Sequence, residues 1–450
     1  MPVTTEMLTE PVVMPTGRQT ILAAMAALFG WGLDLFDLFI LLYVAPIVGR
    51  LFFPAAEPML SLAGAYASFA VTLLVRPIGS AIFGHFADVH GRRRAMMVAV
   101  TGVGISTAIF GLLPSVAQIG WTAAFLFLFF RLVQGIFVGG VVASSHTIGT
   151  ESVPERWRGL MSGAVGGGGA ALGGLVASLV FYIVTLIAPG DAFAEWGWRL
   201  MFFSGLLTSI VGLLLFTNLE ESPFFKASEK RAAARPRGTV AIRPPLKTLF
   251  SPPYLGVFLV NVIMTLGAGA GYYLTSGYLP TFLNLVNHNP GHQASLILIA
   301  ANLAAAAGAI LCGELSQHIG RKAVLLGSGV VRVIGFPLLF LGMGATTDVT
   351  LITLGAMALA FIANGSYGPI LIFLNERFPT ELRASGTGLS WNVGFALGGM
   401  MPTLVSLFAV GAQALPMMLA IFATAFSVVY LIGAVIIPET KGNLDRVWNS

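Results

Sequence analysis

The stretch Thr248-LFSPPYLGVFLVNVIMTLGAGAGYYLTSGYLPTFLNLVNHNPGHQASLILIAANLAAAAGAILC-Gly313 contains no Asp, Glu, Lys or Arg over 66 residues. A helix needs about 20 apolar residues to cross a bilayer, so this run holds a pair of spans, with the polar Asn287–Gly291 turn between them. The same pattern recurs. Ala95–Phe130 is charge-free over 36 residues, Gly159–Gly190 over 32 and Ala384–Pro438 over 55, with turns at Pro114-Ser115 and Gly411-Ala412-Gln413. Of the 450 residues, 56% are hydrophobic and 10% charged, where a soluble domain carries roughly 25% charged. So few charges cannot cover a surface in water. The chain is therefore an integral membrane protein, and the composition excludes a soluble enzyme, a nucleic-acid binder and a disordered scaffold. Fifty-four glycines and 24 prolines fit, both being commoner in membrane helices than in soluble ones. The single cysteine, Cys312, allows no disulfide within the chain and no cysteine metal cluster.

Twelve spans follow: 20–48, 61–85, 95–114, 120–142, 159–187, 199–218, 254–284, 294–315, 323–343, 350–373, 384–409 and 415–437. The polar N-terminal segment lacks the basic region and cleavage site of a signal peptide, and an even number of spans puts both termini on one side. Nineteen Lys and Arg fall on that side, among them Arg92–Arg94, Arg156, Arg158, the seven between Lys226 and Lys247, Arg321, Lys322, Arg377 and Arg383; only Arg50 and Arg199 fall opposite. By the positive-inside rule both termini are cytoplasmic. The pI near 9.5 then reflects topology rather than nucleic-acid binding.

The polar segment 220–250 divides the chain. An N-terminal tail (1–19) leads into a first six-helix bundle (20–219), and a second bundle (251–438) follows the linker and ends in a tail (439–450). An internal repeat supports the division. Glu151, Pro154, Arg158 and Gly163 recur 225 residues on as Glu376, Pro379, Arg383 and Gly388, and Gly84, Gly91 and Arg92 recur 229 residues on as Gly313, Gly320 and Arg321. Internal repeats of this kind mark secondary transporters, whose substrate site lies near the midplane between the halves.

The same residues carry a family resemblance. Gly84-His-Phe-Ala-Asp88-Val-His-Gly91-Arg92-Arg93-Arg94 resembles the loop signature of the major facilitator superfamily, and Arg131-Leu-Val-Gln134-Gly135-Ile-Phe-Val-Gly139-Gly140 resembles its fourth-span motif. Arg76-Pro77-Ile-Gly79, Asp34-Leu-Phe36-Asp37, Tyr278-Leu-Pro280-Thr281 and Glu220-Glu-Ser-Pro223 are similar to the metabolite:proton symporter branch; Pro438-Glu-Thr-Lys-Gly442 is shared with sugar porters. Gln317 stands where the repeat would place a second Asp88, and Asp34 where the branch often has Glu. The resemblance spans residues 20–445. It implies an all-α fold of two pseudo-symmetric six-helix bundles working by alternating access, with the first, fourth, seventh and tenth spans lining the cavity.

Charges inside the bilayer are costly, so the few present are the candidates for mechanism. Asp34 and Asp37, three residues apart, share a face of the first span, and burial disfavours their charge, so either could carry a proton. Arg131 and Gln134 lie three apart in the fourth span, where Arg131 could offset an Asp or draw in a substrate carboxylate. The bland alternative is a permanent Asp–Arg structural lock. Arg332, in the ninth span, is a further substrate candidate, against snorkelling or an interhelical partner. Tyr272, Tyr273, Asn364, Tyr367, Trp391 and Asn392 offer hydrogen bonds and rings to a small polar solute, although each alone reads as helix packing. The Gly166–Gly169 run lacks the strand and Lys-Ser/Thr of a phosphate loop and reads as close helix packing.

Asp88 with Arg92, Glu151 with Arg158, and their counterparts Arg321, Glu376 and Arg383 read as gating pairs at the cytoplasmic ends. The expected protein is a proton-coupled symporter of a small organic acid in the inner membrane. It needs protons, the lipid bilayer and no cofactor, metal or nucleic acid, and works as a monomer. A proline- or betaine-like osmolyte symporter is the alternative, and a drug or metabolite exporter a more distant one. An enzyme would need a nucleophile, metal or nucleotide site, and the residues offer none.

Overall fold

Inside a bilayer an apolar backbone has only itself to hydrogen-bond with, and a helix satisfies every group within one segment. The computed structural model describes residues 17–90, 92–151, 153–217, 248–252, 254–378 and 380–443; within these, the side chains at 17–23, 26–27, 84–85, 87–90, 92–93, 96, 140–151, 208, 215–217, 380–381 and 384 lie outside the description. Among the described residues there is helix and no strand. The first six membrane helices are α1 (Gly17–Phe52), α2 (Pro58–His90), α3 (Arg92–Leu112), α4 (Thr122–Glu151), α5 and α6 (Trp198–Thr217). α5 runs through Arg158–Ser162, a π-helical segment Gly163–Gly168, and Gly169–Ile187. The second six are α7 (Tyr254–Tyr272, a π turn Tyr273–Gly277, then Leu279–Leu285), α8 (Gly291–Ile319), α9 (Arg321–Gly344), α10 (Val349–Tyr367 and Ile370–Glu376), α11 (Thr380–Gly398 and Met401–Phe408) and α12 (Leu415–Ile436).

Eleven of these are long and apolar enough to cross a membrane; α3, with the shorter apolar stretch Met97–Leu112, is the twelfth. Several outrun the spans read from hydropathy, α2 reaching residue 90 rather than 85 and α4 reaching 151 rather than 142. The hydrogen-bonded helix continues where the apolar run stops, because helix ends are set by capping rather than by polarity. α4 begins at 122 rather than 120 because Gly120, at φ +64°, ends a short helix of Val116–Ile119. Large apolar side chains such as Leu112, Ile183, Leu338 and Leu354 stand exposed on the outer faces, where lipid would cover them.

The two halves meet along α5 and α8, where Gly159 and Gly163 face Gly313 and the Ala309 carbonyl so closely that a Cβ would collide with backbone. Small residues let helix backbones approach in this way. Ser162 donates to the Gly368 carbonyl at 2.6 Å and accepts the Ile372 N–H at 3.1 Å, tying α5 to α10. We call the end with the α2–α3 and α8–α9 connections the basic end. At the opposite end Tyr66 of α2 stacks on Tyr278 of α7, 4.9 Å between centroids, and shares a 2.8 Å hydrogen bond with Thr281. The halves therefore touch on both sides of the middle.

Candidate transport site

Between those contacts, halfway along the helices, lies a narrow cavity with room for about one water molecule. Trp31 and Leu35 of α1 and Leu73 and Arg76 of α2 form one wall; Tyr272, Tyr273, Tyr367, Trp391, Asn392, Phe395 and Ala396 of α7, α10 and α11 form the other. The rings pack on one another. Trp391 stacks on Phe395 (4.4 Å, 12°), Tyr272 on Tyr367 (5.6 Å, 28°), and Trp31 meets Trp391 edge-on across the two halves at 5.9 Å. The Trp31 indole N–H donates to the Gly166 carbonyl at 2.9 Å, so the glycine run of α5 abuts the site.

Arg76 is the one cation on the cavity wall among the described residues. Its Nη2 lies 3.5 Å from Asp34 Oδ2, and both side chains are buried. The pair is loosely made, since neither Asp34 oxygen, nor Arg76 Nε or Nη2, has a hydrogen-bond partner among the described residues. Asp37, one turn along α1, faces Thr107 of α3 and Arg131 of α4. Arg131 donates to Gln134 at 2.7 Å, Gln134 to Thr107 at 2.7 Å, and the guanidinium lies over Phe110 and Phe127. Asp37, Arg131 and Gln134 thus form a network inside the first half, behind the cavity wall.

The sequence-read candidates separate accordingly. Tyr272, Tyr273, Tyr367, Trp391 and Asn392 line the cavity; Asn364, which donates to Ser276 at 3.4 Å and to its own helix at Ala360, does not. Arg332 is away from it, donating to the Gly267 carbonyl at 2.7 Å and lying over Tyr430. Its partner is interhelical. At the basic end Arg321 and Glu376 form a buried ion pair at 3.3 Å, and Glu376 also accepts from Thr440 at 2.8 Å. Arg383 is buried and donates to the Asn375 carbonyl at 3.1 Å. Arg158 is half-buried at the start of α5. The side chains of Asp88, Arg92 and Glu151 lie outside the described residues. Gln317 accepts from the Gly159 N–H at 3.2 Å and from Arg321 at 2.9 Å, so the neutral substitute bridges the halves.

Sequence reasoning did not place Arg76, Trp31 or Phe395 at the site. Arg76 carried a signal: it is a charge in mid-span, in the motif Arg76-Pro77-Ile-Gly79.

A family model described as Major Facilitator Superfamily matches residues 20–403. The chain belongs to the Major Facilitator Superfamily. It is thus a multi-pass membrane transporter, and its relatives are transporters rather than enzymes. The Proline/betaine transporter of Escherichia coli (strain K12) is 31% identical over 420 residues, covering 93% of this chain and 83% of the relative. The Glycine betaine/proline/ectoine/pipecolic acid transporter OusA of Dickeya dadantii is 31% identical over 421 residues, with the same coverage. The Shikimate transporter of E. coli is 28% identical over 390 residues, 84% of this chain and 85% of the relative. Among solved structures, the superfamily proton:xylose symporter XylE bound to 6-bromo-6-deoxy-D-glucose superposes with a TM-score of 0.74 at 17% identity, over 95% of this chain and 99% of that one. That likeness concerns the fold alone.

Proposed function

We propose that this transporter is a proton-driven symporter that brings a small zwitterionic osmolyte, of the proline or betaine kind, into the cell across the inner membrane. The observation that carries the reading is a cavity walled by Trp31, Tyr272, Tyr273, Tyr367, Trp391 and Phe395 with a single guanidinium, Arg76. An alkylated ammonium is attracted to the faces of Trp and Tyr rings, and most strongly where water is excluded. A guanidinium matches a carboxylate. A compact zwitterion carries both groups. The 31% identity to transporters named for proline and betaine supports the same class. The small organic acid is the second reading, favoured by Arg76 as a carboxylate receptor and by the likeness to the Shikimate transporter.

Proton coupling is supported by Asp34 and Asp37, two acids buried among the helices, where neutralisation by a proton offsets the cost of holding a charge in the bilayer. The excess of Lys and Arg at the basic end supports a cytoplasmic position for that end and for both termini. The cavity lies within one chain, which supports a working monomer. The two bundles, residues 20–219 and 251–438, would rock about it, with Arg321, Glu376 and Arg383 in the latch at the basic end. Uptake by the purified protein in liposomes tests the reading. Labelled glycine betaine or L-proline is expected to accumulate under an inward proton gradient and to leak out when a protonophore is added. Accumulation of shikimate with no uptake of either zwitterion would replace the first reading with the second.

A further inference from the structure

Five buried arginines stand inside the helices or at their ends, and four of them hold short hydrogen bonds or an ion pair, Arg383 with the Asn375 carbonyl at 3.1 Å. Arg131 has Gln134 and two phenyl faces, Arg332 has the Gly267 carbonyl and the Tyr430 ring, and Arg321 has Glu376, Ser316 and Gln317. Arg76 differs. Arg131 and Arg332 also keep unfilled N–H positions, but Arg76 alone among them keeps these on the cavity wall, 3.5 Å from Asp34, whose two oxygens accept no hydrogen bond among the described residues. A buried ion pair offsets its desolvation only when its remaining lone pairs and N–H groups are also satisfied. This one is left open to a further partner on the cavity side.

We propose that Asp34 and the substrate's carboxylate hold the Arg76 guanidinium in turn, and that each substrate bound frees Asp34 to take up one proton. The inference rests on the reading of the site as a receptor for a small zwitterion. The groups facing Asp34 are Arg76 from α2, Asp37 one turn along α1, Tyr273 from α7 and Tyr367 from α10. Asp37 is itself turned to Thr107 and Arg131. Once a substrate carboxylate takes Arg76, no other cation among the described residues holds Asp34 as an anion, while Asp37 repels it. The carboxylate then takes a proton from a hydronium ion in the water that admitted the substrate: one hydronium O–H bond breaks, the Asp34 O–H bond forms, and a water molecule is left. Charge balances simply. The empty site, one anion and one cation, is neutral. Loaded with a zwitterion and a proton it carries +1, so each zwitterion moves one positive charge, and the empty return moves none. A monocarboxylate loaded with one proton would move none in either direction.

The full chain in liposomes decides this, read by currents on a solid-supported membrane and by tracer exchange. Glycine betaine and L-proline are expected to evoke inward positive current with one proton per substrate. Asp34→Asn, which imitates the protonated acid, is expected still to bind and exchange glycine betaine. Its current, its accumulation and the pH dependence of its affinity should vanish. Asp34→Glu is expected to restore coupling, which separates loss of the proton from loss of the fold. Arg76→Gln should weaken glycine betaine binding about 100-fold, as removal of one partner of a buried charge pair does. The proposal is overturned if Asp34→Asn still accumulates substrate with full pH dependence, or if Asp37→Asn uncouples transport while Asp34→Asn does not. If the wild type ignores both zwitterions and carries shikimate, the substrate reading fails on its own. The exchange is then tested by the same variants on shikimate, with current-free accumulation in the wild type and none in Asp34→Asn.

Discussion

The Arg332 guanidinium of α9 donates to the Gly267 carbonyl of α7 at 2.7 Å while its carbon lies 4.4 Å from the centre of the Tyr430 ring on α12. One side chain thus fastens three helices of the second half, and its approach occupies the space that a Cβ on Gly271 would need. Arg332→Gln removes the donor to a buried carbonyl and the cation over the ring. A loss of about 3 kcal/mol in stability is expected, from one orphaned acceptor and the space left unfilled, read as a lower melting temperature in detergent. Gly271→Ala should act in the same direction by displacing the guanidinium. The affinity of Arg332→Gln for glycine betaine should stay within about twofold of wild type, a spread expected for a site without shared partners. A variant of normal stability and weakened affinity would instead place Arg332 in contact with substrate.

How much of this was legible in the sequence depends on what each residue's neighbours reveal. Charge-free runs mark the spans because the bilayer penalises every charge alike, and the displaced pairs Arg92/Arg321 and Glu151/Glu376 mark the two halves. Tyr367 and Trp391 could be nominated because a polar or large aromatic group in mid-span needs a reason. Which face of a helix meets the cavity was not legible. α1 is buried on nearly all sides from Gly30 to Phe52, so no polar stripe distinguishes Trp31 and Asp34 from their neighbours. For the same reason Arg76 and Arg332, each the one charge in the middle of an otherwise apolar span, look alike in sequence. One faces the cavity and the other is held between helices by the Gly267 carbonyl and the Tyr430 ring. Only the positions of α1, α7 and α12 separate them.

Trp391 stacks on Phe395 and meets the edges of Trp31 and Tyr367. If these rings receive an alkylated ammonium, Trp391→Ala should cost about 2 kcal/mol of binding, the strength of a desolvated cation–π contact, or about 30-fold in Kd for glycine betaine. Trp391→Phe should retain part of it. Shikimate has no cationic group, so any binding it shows should fall by less. Calorimetric titration of the purified variants gives both numbers, and an equal loss for the two ligands would mean that the ring merely shapes the cavity.

Tyr66 and Tyr278 close the end opposite the basic one, and Tyr278 in turn shares a 2.8 Å hydrogen bond with Ser406 of α11. Tyr66→Ala removes the stack and the bond to Thr281, each worth about 1 kcal/mol. A shift of about 2 kcal/mol moves the balance toward states open at that end by about 30-fold. A reporter is available at Leu73, which lines the cavity. With Cys312 replaced by Ser, a Leu73→Cys thiol should react faster with a membrane-impermeant reagent added on the side opposite the basic end when Tyr66→Ala is present. Phenylalanine at position 66 should keep the stack and show about half the effect in free energy. Unchanged labelling in Tyr66→Ala would place the seal of that end elsewhere.

Glu439, just beyond α12, accepts the N–H groups of Arg321 and Lys322 at 2.9 and 3.0 Å, as well as those of Thr440 and Lys441. It therefore caps the first turn of α9, where unpaired N–H groups and the positive end of the helix dipole favour a carboxylate. Burial works to raise the carboxyl's affinity for protons, but these four backbone donors outweigh it and hold Glu439 below its ordinary value of 4.5. A group depressed on folding stabilises the fold above its unfolded value and loses that contribution as pH falls through its folded one. Glu439→Gln should therefore lower stability by about 1 kcal/mol near pH 7, the usual scale for a helix cap. The gap between variant and wild type should persist down to about pH 5 and close as pH falls below 4.5. Melting curves of both proteins in one detergent across that range measure it. A gap that stays constant into strong acid would show that Glu439 acts through its shape and hydrogen bonds and not through its charge.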